Sequence, residues 1–105
     1  MATIHKLIIG NCMVMEEIPD QSVHLMVTSP PYFNAPFDYK GLFKNYDQYL
    51  GVLRRFAKET FRVLQEGRIA VLNIDDMLIN GEKFPIVADA IKIFQEAGFR
   101  YRDRI

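Results

Sequence analysis

The chain has 105 residues, half of them apolar and a quarter charged, with 13 basic side chains balancing 13 acidic ones. This composition excludes a disordered tract and an overall basic field, so any nucleic-acid role has to come from a local site. The single Cys12 excludes an internal disulfide, and the apolar run Leu7 to Ile9 is too short to be a secretory leader or a membrane span. A reducing, cytoplasmic setting without a membrane partner is expected.

In chain order, Ile4 to Ile9 is an apolar run ended by Gly10-Asn11 and reads as a buried strand. Met13 to Ile18 is predicted to form about a turn and a half of helix, closed by the turn signal Pro19-Asp20. A second strand, Val23 to Thr28, runs into Ser29-Pro30-Pro31. From Asp47 to Leu64, Tyr49, Leu50, Leu53, Ala57, Phe61 and Leu64 recur at helical spacing, with Arg54, Arg55, Lys58, Glu59 and Arg62 on the other faces. Gly67 is expected to cap that helix, and Ile69 to Ile74 to form a strand reaching Asp75-Asp76. A last helix starts near Pro85, buries Ile86, Val87, Ala90, Ile91, Phe94 and Ala97, and stops at Gly98. Gly98 to Ile105 then reads as the beginning of another strand. Alternation of this kind implies an α/β sandwich around a mainly parallel sheet.

Ligands of open α/β sheets sit outside the carboxyl ends of the strands, where Ser29 to Tyr32 lies. A Pro-Pro pair alone is weak evidence, since it arises at roughly one position in 400 by composition. Two consecutive prolines, however, fix φ, remove two donors and hold Ser29 extended, leaving carbonyls that no following helix can absorb. A serine hydroxyl beside a proline carbonyl can accept both hydrogens of an amino group, and an adjacent tyrosine ring can stack on a flat base. The motif is thus an amino-group receptor, with Tyr32 and Phe33 as stacking surface; as a mere strand-ending turn it would only block edge pairing.

Other residues read more plainly. Asp75-Asp76 is expected to cap a turn, and His5 and His24 lack partners at ligand spacing, so no metal site is expected. Arg54, Arg55 and Arg62 read as a solvated helix face. The loop Asn34 to Asn45 carries Phe37, Tyr39 and Phe43 with Lys40 and Lys44, which either track a DNA strand or pack over the sheet.

Thr28-Ser29-Pro30-Pro31-Tyr32 resembles the catalytic motif of amino-methylating DNA methyltransferases, and serine in its variable position resembles the enzymes acting on N4 of cytosine more than those acting on N6 of adenine. Leu7-Ile8-Ile9-Gly10-Asn11-Cys12 resembles that family's strand ending in Gly-Asp-Cys. Arg62-Val63-Leu64-Gln65-Glu66-Gly67-Arg68-Ile69 resembles its Arg-Val-Leu-Lys-Pro-Gly-Gly segment. The resemblance implies a partial Rossmann-like methyltransferase fold, a three-layer sandwich with an incomplete sheet. It also implies S-adenosylmethionine as cofactor, with Asn11 and Cys12 as its neighbours, and DNA with a flipped target base as substrate. The implied catalytic residues are Ser29, Pro30, Pro31 and Tyr32. Asn11 departs from the usual acidic residue and supplies no charge.

No Gly-rich cofactor loop of the Phe-x-Gly-x-Gly or Gly-x-Gly-x-x-Gly type is present. In the subgroup whose catalytic motif precedes that loop, it would follow residue 105 together with the target-recognition region. Residues 1–105 are therefore expected to be the N-terminal portion of a catalytic domain, inactive alone. The family sheet keeps the strand Ile4–Ile9 apart from Val23–Thr28, so the exposed edges are expected to pair with another copy or with each other. Two alternatives stay open: a non-catalytic split subunit that binds a partner chain, and an unrelated α/β domain, which a buried Ser29 would favour.

Overall fold

The computed structural model describes residues 2–30, 33 and 43–105. Pro31, Tyr32, Phe37, Tyr39 and Lys40 lie outside the described residues. Among the described residues, the element order is β1 (Val23–Thr28), α1 (Tyr46–Val63), β2 (Leu64–Leu72), β3 (Met77–Ile79), β4 (Glu82–Phe84) and α2 (Ile86–Ala97).

The strongest periodicity in the sequence becomes the longest element. In α1 the Asn45 side chain caps the first turn by accepting from Gln48 N–H at 2.8 Å, and the Gln48 side chain accepts from Lys44 N–H at 2.6 Å. These contacts satisfy donors that a helix start leaves open. Tyr49, Leu50, Leu53, Phe56 and Ala57 face the core, whereas Phe61, expected in the buried stripe, is exposed. In α2 the buried residues are Ile86, Val87, Ala90, Ile93 and Phe94. Ile93 takes the place expected for Ile91, which is only half-buried.

The end of α2 follows the sequence closely. Gly98 adopts φ 124° as its cap, and its N–H bonds to Gln95 O at 3.1 Å. A Cβ added there would lie 2.6 Å from Phe61 Cζ. Gly98→Ala should therefore cost about 1–2 kcal/mol from backbone strain, plus whatever the Phe61 ring loses in moving. A urea unfolding midpoint equal to wild type would contradict this. Beyond Gly98 the expected strand is absent: Phe99 folds back onto Phe61 and Phe94, and residues 101–105 are exposed without regular structure.

β1 and β2 run parallel, with Leu25–Thr28 opposite Ile69–Leu72 in unbroken register. The register shifts between Val23 and Leu25, because Val23 pairs with Leu64 and the next pair uses Ile69. The extra residues on β2 loop out as a bulge in which Gly67 has φ 81°. Its left-handed conformation is the one anticipated, but its role differs. α1 has already ended at Leu64, an extended C-cap, and the glycine serves the bulge.

Both helices cover the same face of this pair. Met26 and Leu72 pack against the helix-lined core, while Leu25, Val27, Ile69 and Val71 on the other face are exposed. The described residues thus supply one sheet layer and one helix layer of the sandwich. The hairpin β3–β4 turns on Asn80-Gly81, both at positive φ, a two-residue turn matched to strand twist. An Asn-Gly pair between two short strands is the sequence signal for such a turn.

Two expectations at the N-terminal end are overturned. Ile4–Ile9 forms no strand, and Ile4, Leu7 and Ile9 are each more than 85 % exposed. A strand holds only when a neighbour satisfies its backbone; β1 pairs with β2 on one edge and Ile4–Ile9 does not take the other, so Ile4–Ile9 and Val23–Thr28 do not pair. Met13–Ile18 forms consecutive turns rather than a helix, closed by Val14 N–H to Asn11 O at 3.1 Å and Ile18 N–H to Met15 O at 3.0 Å. Six residues are too few to sustain a helix without packing.

Candidate active site

The parallel pair brings two chain segments to one end of the sheet. The ladder continues past the strands through Asn73 N–H to Thr28 O at 2.8 Å, so Ser29-Pro30 and Asn73–Asp76 emerge side by side. Ser29 is exposed and Pro30 buried, which disfavours the unrelated-domain reading that a buried Ser29 would have supported. A cavity of about 120 Å³ opens here, lined by Cys12, Met13, Ser29, Pro30, Leu53 and Phe56 among others. A second, of about 160 Å³, lies within the preceding segment against Asn11, Cys12, Met15 and Ile18. Cys12 borders both, so residues far apart in sequence, Cys12 and Ser29, share a wall. Pro31 and Tyr32 lie outside the described residues.

Asn11 is committed locally: its Oδ1 accepts from Met13 N–H at 2.9 Å, closing a turn and leaving its amide hydrogens for another partner. Phe33 does not offer a stacking surface. It is 6 % exposed and its ring meets Tyr46, Tyr49 and Phe84 at centroid distances of 5.3, 5.6 and 4.9 Å. Phe43 likewise belongs to the core, edge-on to Tyr49. The aromatic cluster therefore pins both flanks of the segment following Ser29.

Asp76 caps α2 from a distance, Oδ1 accepting from Val87 N–H at 2.9 Å, and Asp75 Oδ1 accepts from Asp76 N–H at 2.8 Å. The Asp75 bond is the local turn cap read from the sequence; the Asp76 bond is instead a helix cap, and it compensates for Pro85, which has no side chain to cap α2. Tyr46 donates to Asp89 Oδ2 at 2.6 Å, tying α1 to α2. Burial, then the bond to Asp89, pushes the Tyr46 hydroxyl above the ordinary tyrosine range.

Arg62 is not a solvated side chain. Its guanidinium donates to Met15 O at 2.8 Å, Ile18 O at 3.0 Å, Asp20 Oδ1 at 2.6 Å and Glu59 Oε1 at 2.7 Å. Glu59 Oε2 in turn accepts from Met15 N–H. The sequence shows only an i,i+3 charge pair on a helix; the carbonyl acceptors carry no signal in residue type. The Arg62 bond and the Met15 N–H hold the Glu59 carboxyl below its usual range. A carboxyl lowered in the folded state adds stability that is complete above the ordinary glutamate pKa of about 4.3 and vanishes as pH falls through the lowered value. The protection of the Met15 amide, taken relative to its intrinsic exchange rate at each pH, should fall over that acid window, and Glu59→Gln should flatten the dependence.

The family model described as DNA methylase, for N6 and N4 methyltransferases, matches residues 23–105. The chain belongs to this DNA methylase family. Type II methyltransferase M.MjaVI of Methanocaldococcus jannaschii is 33% identical over 91 residues, covering 85% of this chain and 46% of the relative. Type II beta methyltransferase M.BslI of a Bacillus species is 33% identical over 111 residues, 95% of this chain and 12% of the relative. Among solved structures, TTHA0409 of Thermus thermophilus, a candidate DNA modification methylase, aligns with a TM-score of 0.80 at 31% identity over 95% of this chain and 43% of that one. Its complex with S-adenosyl-L-methionine aligns with a TM-score of 0.73 at 33% identity, over 88% and 40%. The methylase chain thus spans less than half the length of each, and its α/β arrangement is a partial Rossmann-like methyltransferase fold.

Among the described residues no group of three or more His, Cys, Asp or Glu could hold a metal, and no helix is long and apolar enough to cross a membrane.

Proposed function

We propose that residues 1–105 are the N-terminal portion of the catalytic domain of an S-adenosylmethionine-dependent DNA methyltransferase acting on an exocyclic amino group, N4 of cytosine in preference to N6 of adenine. The observation that carries this reading is the exposed Ser29 at the carboxyl end of β1, sharing a cavity wall with Cys12. Whole ligand pockets usually enclose about 300–1,000 Å³, so a cavity of about 120 Å³ suits part of a cofactor and base site completed by further chain.

Bound S-adenosylmethionine supplies the electrophilic methyl group. Asn11 and Cys12 would border the cofactor, Asn11 through the amide hydrogens its turn leaves unused. The Ser29 hydroxyl and the Pro30 carbonyl would accept the two hydrogens of the amino group on a base turned out of the duplex, with Tyr32 stacked on its ring. Acceptors fixed in this way favour the pyramidal nitrogen that carries developing positive charge, and no pKa shift at Ser29 is needed. Pro31 would disfavour a helical conformation at the residue before it, which would keep these acceptors from being absorbed into a helix.

A second reading has its own support. The exposed apolar residues Leu25, Val27, Ile69 and Val71 ask for a covering chain, either another copy joined through the strand edges or a separate subunit to which this chain lends the base pocket without transferring methyl groups itself. Methyl transfer from labelled cofactor to mixed-sequence DNA, followed by nucleoside mass spectrometry, tests both. The enzyme reading expects labelled N4-methylcytosine from the complete gene product. Labelled N6-methyladenine would correct the base, and no transfer with no cofactor binding would favour the subunit.

A further inference from the structure

The segment that carries Asn11 and Cys12 has almost nothing apolar to hold it. No residue from 2 to 22 is fully buried, and residues 11–20 contain only turns. Ordering a backbone costs about 1–2 kcal/mol per residue, so something other than core packing has to place this loop.

The last turn of α1 does so. Arg62 binds the carbonyls of Met15 and Ile18, the residues that bracket the second turn, and the carboxylate of Asp20 just beyond it. Glu59 fixes the guanidinium from its own helix and takes the N–H of Met15. Chain continuity and backbone bonds carry the connection further on either side. Val14 N–H to Asn11 O closes the first turn, which the Val14–Met15 peptide joins directly to the clamped residue, while Gln21 N–H to Arg62 O and Ser22 N–H to Val63 O lead the chain into β1. One planar guanidinium therefore ties residues 15–20, the stretch that directly follows the Asn11–Val14 turn, to the end of α1. Lysine, a point charge with no fork, cannot span these acceptors.

We propose that Arg62, braced by Glu59, is a positioning residue for cofactor binding: it holds the Asn11–Asp20 loop at the mouth of the site without touching the reacting groups. This rests on the methyltransferase reading above. A purely structural role would lower stability alone; a positioning role separates cofactor affinity from the chemical step.

The test uses the complete gene product and its Arg62→Met, Arg62→Lys, Asp20→Asn and Arg54→Met variants. Affinity for S-adenosylmethionine is read by calorimetry, amide exchange across residues 11–18 by mass spectrometry, and kcat at saturating cofactor by label transfer. Arg62→Met should speed exchange in the loop and weaken cofactor binding about tenfold or more, with kcat within about twofold. Arg62→Lys should fall between, and Arg54→Met, altered on an exposed face, should match wild type. If Arg62→Met does not fold, Asp20→Asn should show the same paired change in smaller measure. Unchanged cofactor affinity in Arg62→Met, or in Asp20→Asn where that variant stands in, overturns the positioning role while leaving the methyltransferase reading intact. A wild-type protein that binds no cofactor overturns both.

Discussion

Ser29→Ala in the complete gene product is expected to lower kcat for methyl transfer by about 10²–10³-fold, the usual cost of removing one preorganised polar partner from a reacting group. Cofactor affinity should stay near that of wild type, because the hydroxyl is assigned to the amino group and not to the sulfonium. Folding should also be unaffected, since Ser29 is exposed and contributes nothing to the helix-lined core. Steady-state transfer with DNA and cofactor varied separately distinguishes these effects. A variant with near-wild-type kcat would show that the motif's serine is incidental, and the proposal for the base pocket would then fail at its central residue.

The largest effect on stability is expected at Phe33. Its ring is buried among Tyr46, Tyr49 and Phe84, with the nearest centroid at 4.9 Å. Phe33→Ala removes those contacts and leaves a cavity between α1 and the β3–β4 hairpin, at a cost of about 3–5 kcal/mol. Against a typical domain stability of about 5–15 kcal/mol, much of the margin would go. Phe33→Leu should recover part of it by refilling the space. The residue stands four positions after Ser29, so even a folded Phe33→Ala protein should hold the catalytic motif less firmly and lose kcat. Urea unfolding of the three proteins, with the midpoint compared at constant slope, measures the first effect. Equal midpoints would mean that the aromatic cluster does not bear on folding.

Phe33 also shows how position beside a motif can suggest a role that the packing does not give. Adjacent to Tyr32, it reads as stacking surface; only the chain's return through β4, which brings Phe84 beneath it, makes it core. Arg62 is a parallel case. Its placement opposite the apolar stripe of α1 is real, but the turns of residues 11–20 are laid across that face and convert a solvated cation into a clamp.

Local periodicity and turn chemistry, by contrast, were sufficient where an element depends mainly on its own residues. α1 and α2 follow from apolar spacing, the α2 stop from Gly98, and β1 from an apolar run ended by Ser29-Pro30. The hairpin was equally legible in Asn80-Gly81. The receptor chemistry proposed for the Ser29 motif rests on proline and serine acting through their own backbone and hydroxyl. What the sequence could not determine was whether a run such as Ile4–Ile9 has a strand beside it, which face of the β1–β2 pair the helices cover, and which carbonyls Arg62 finds. Those depend on partners distant along the chain. Backbone hydrogen bonds and apolar burial are satisfied between segments, so the identity of the neighbour, and not of the residue, decides them.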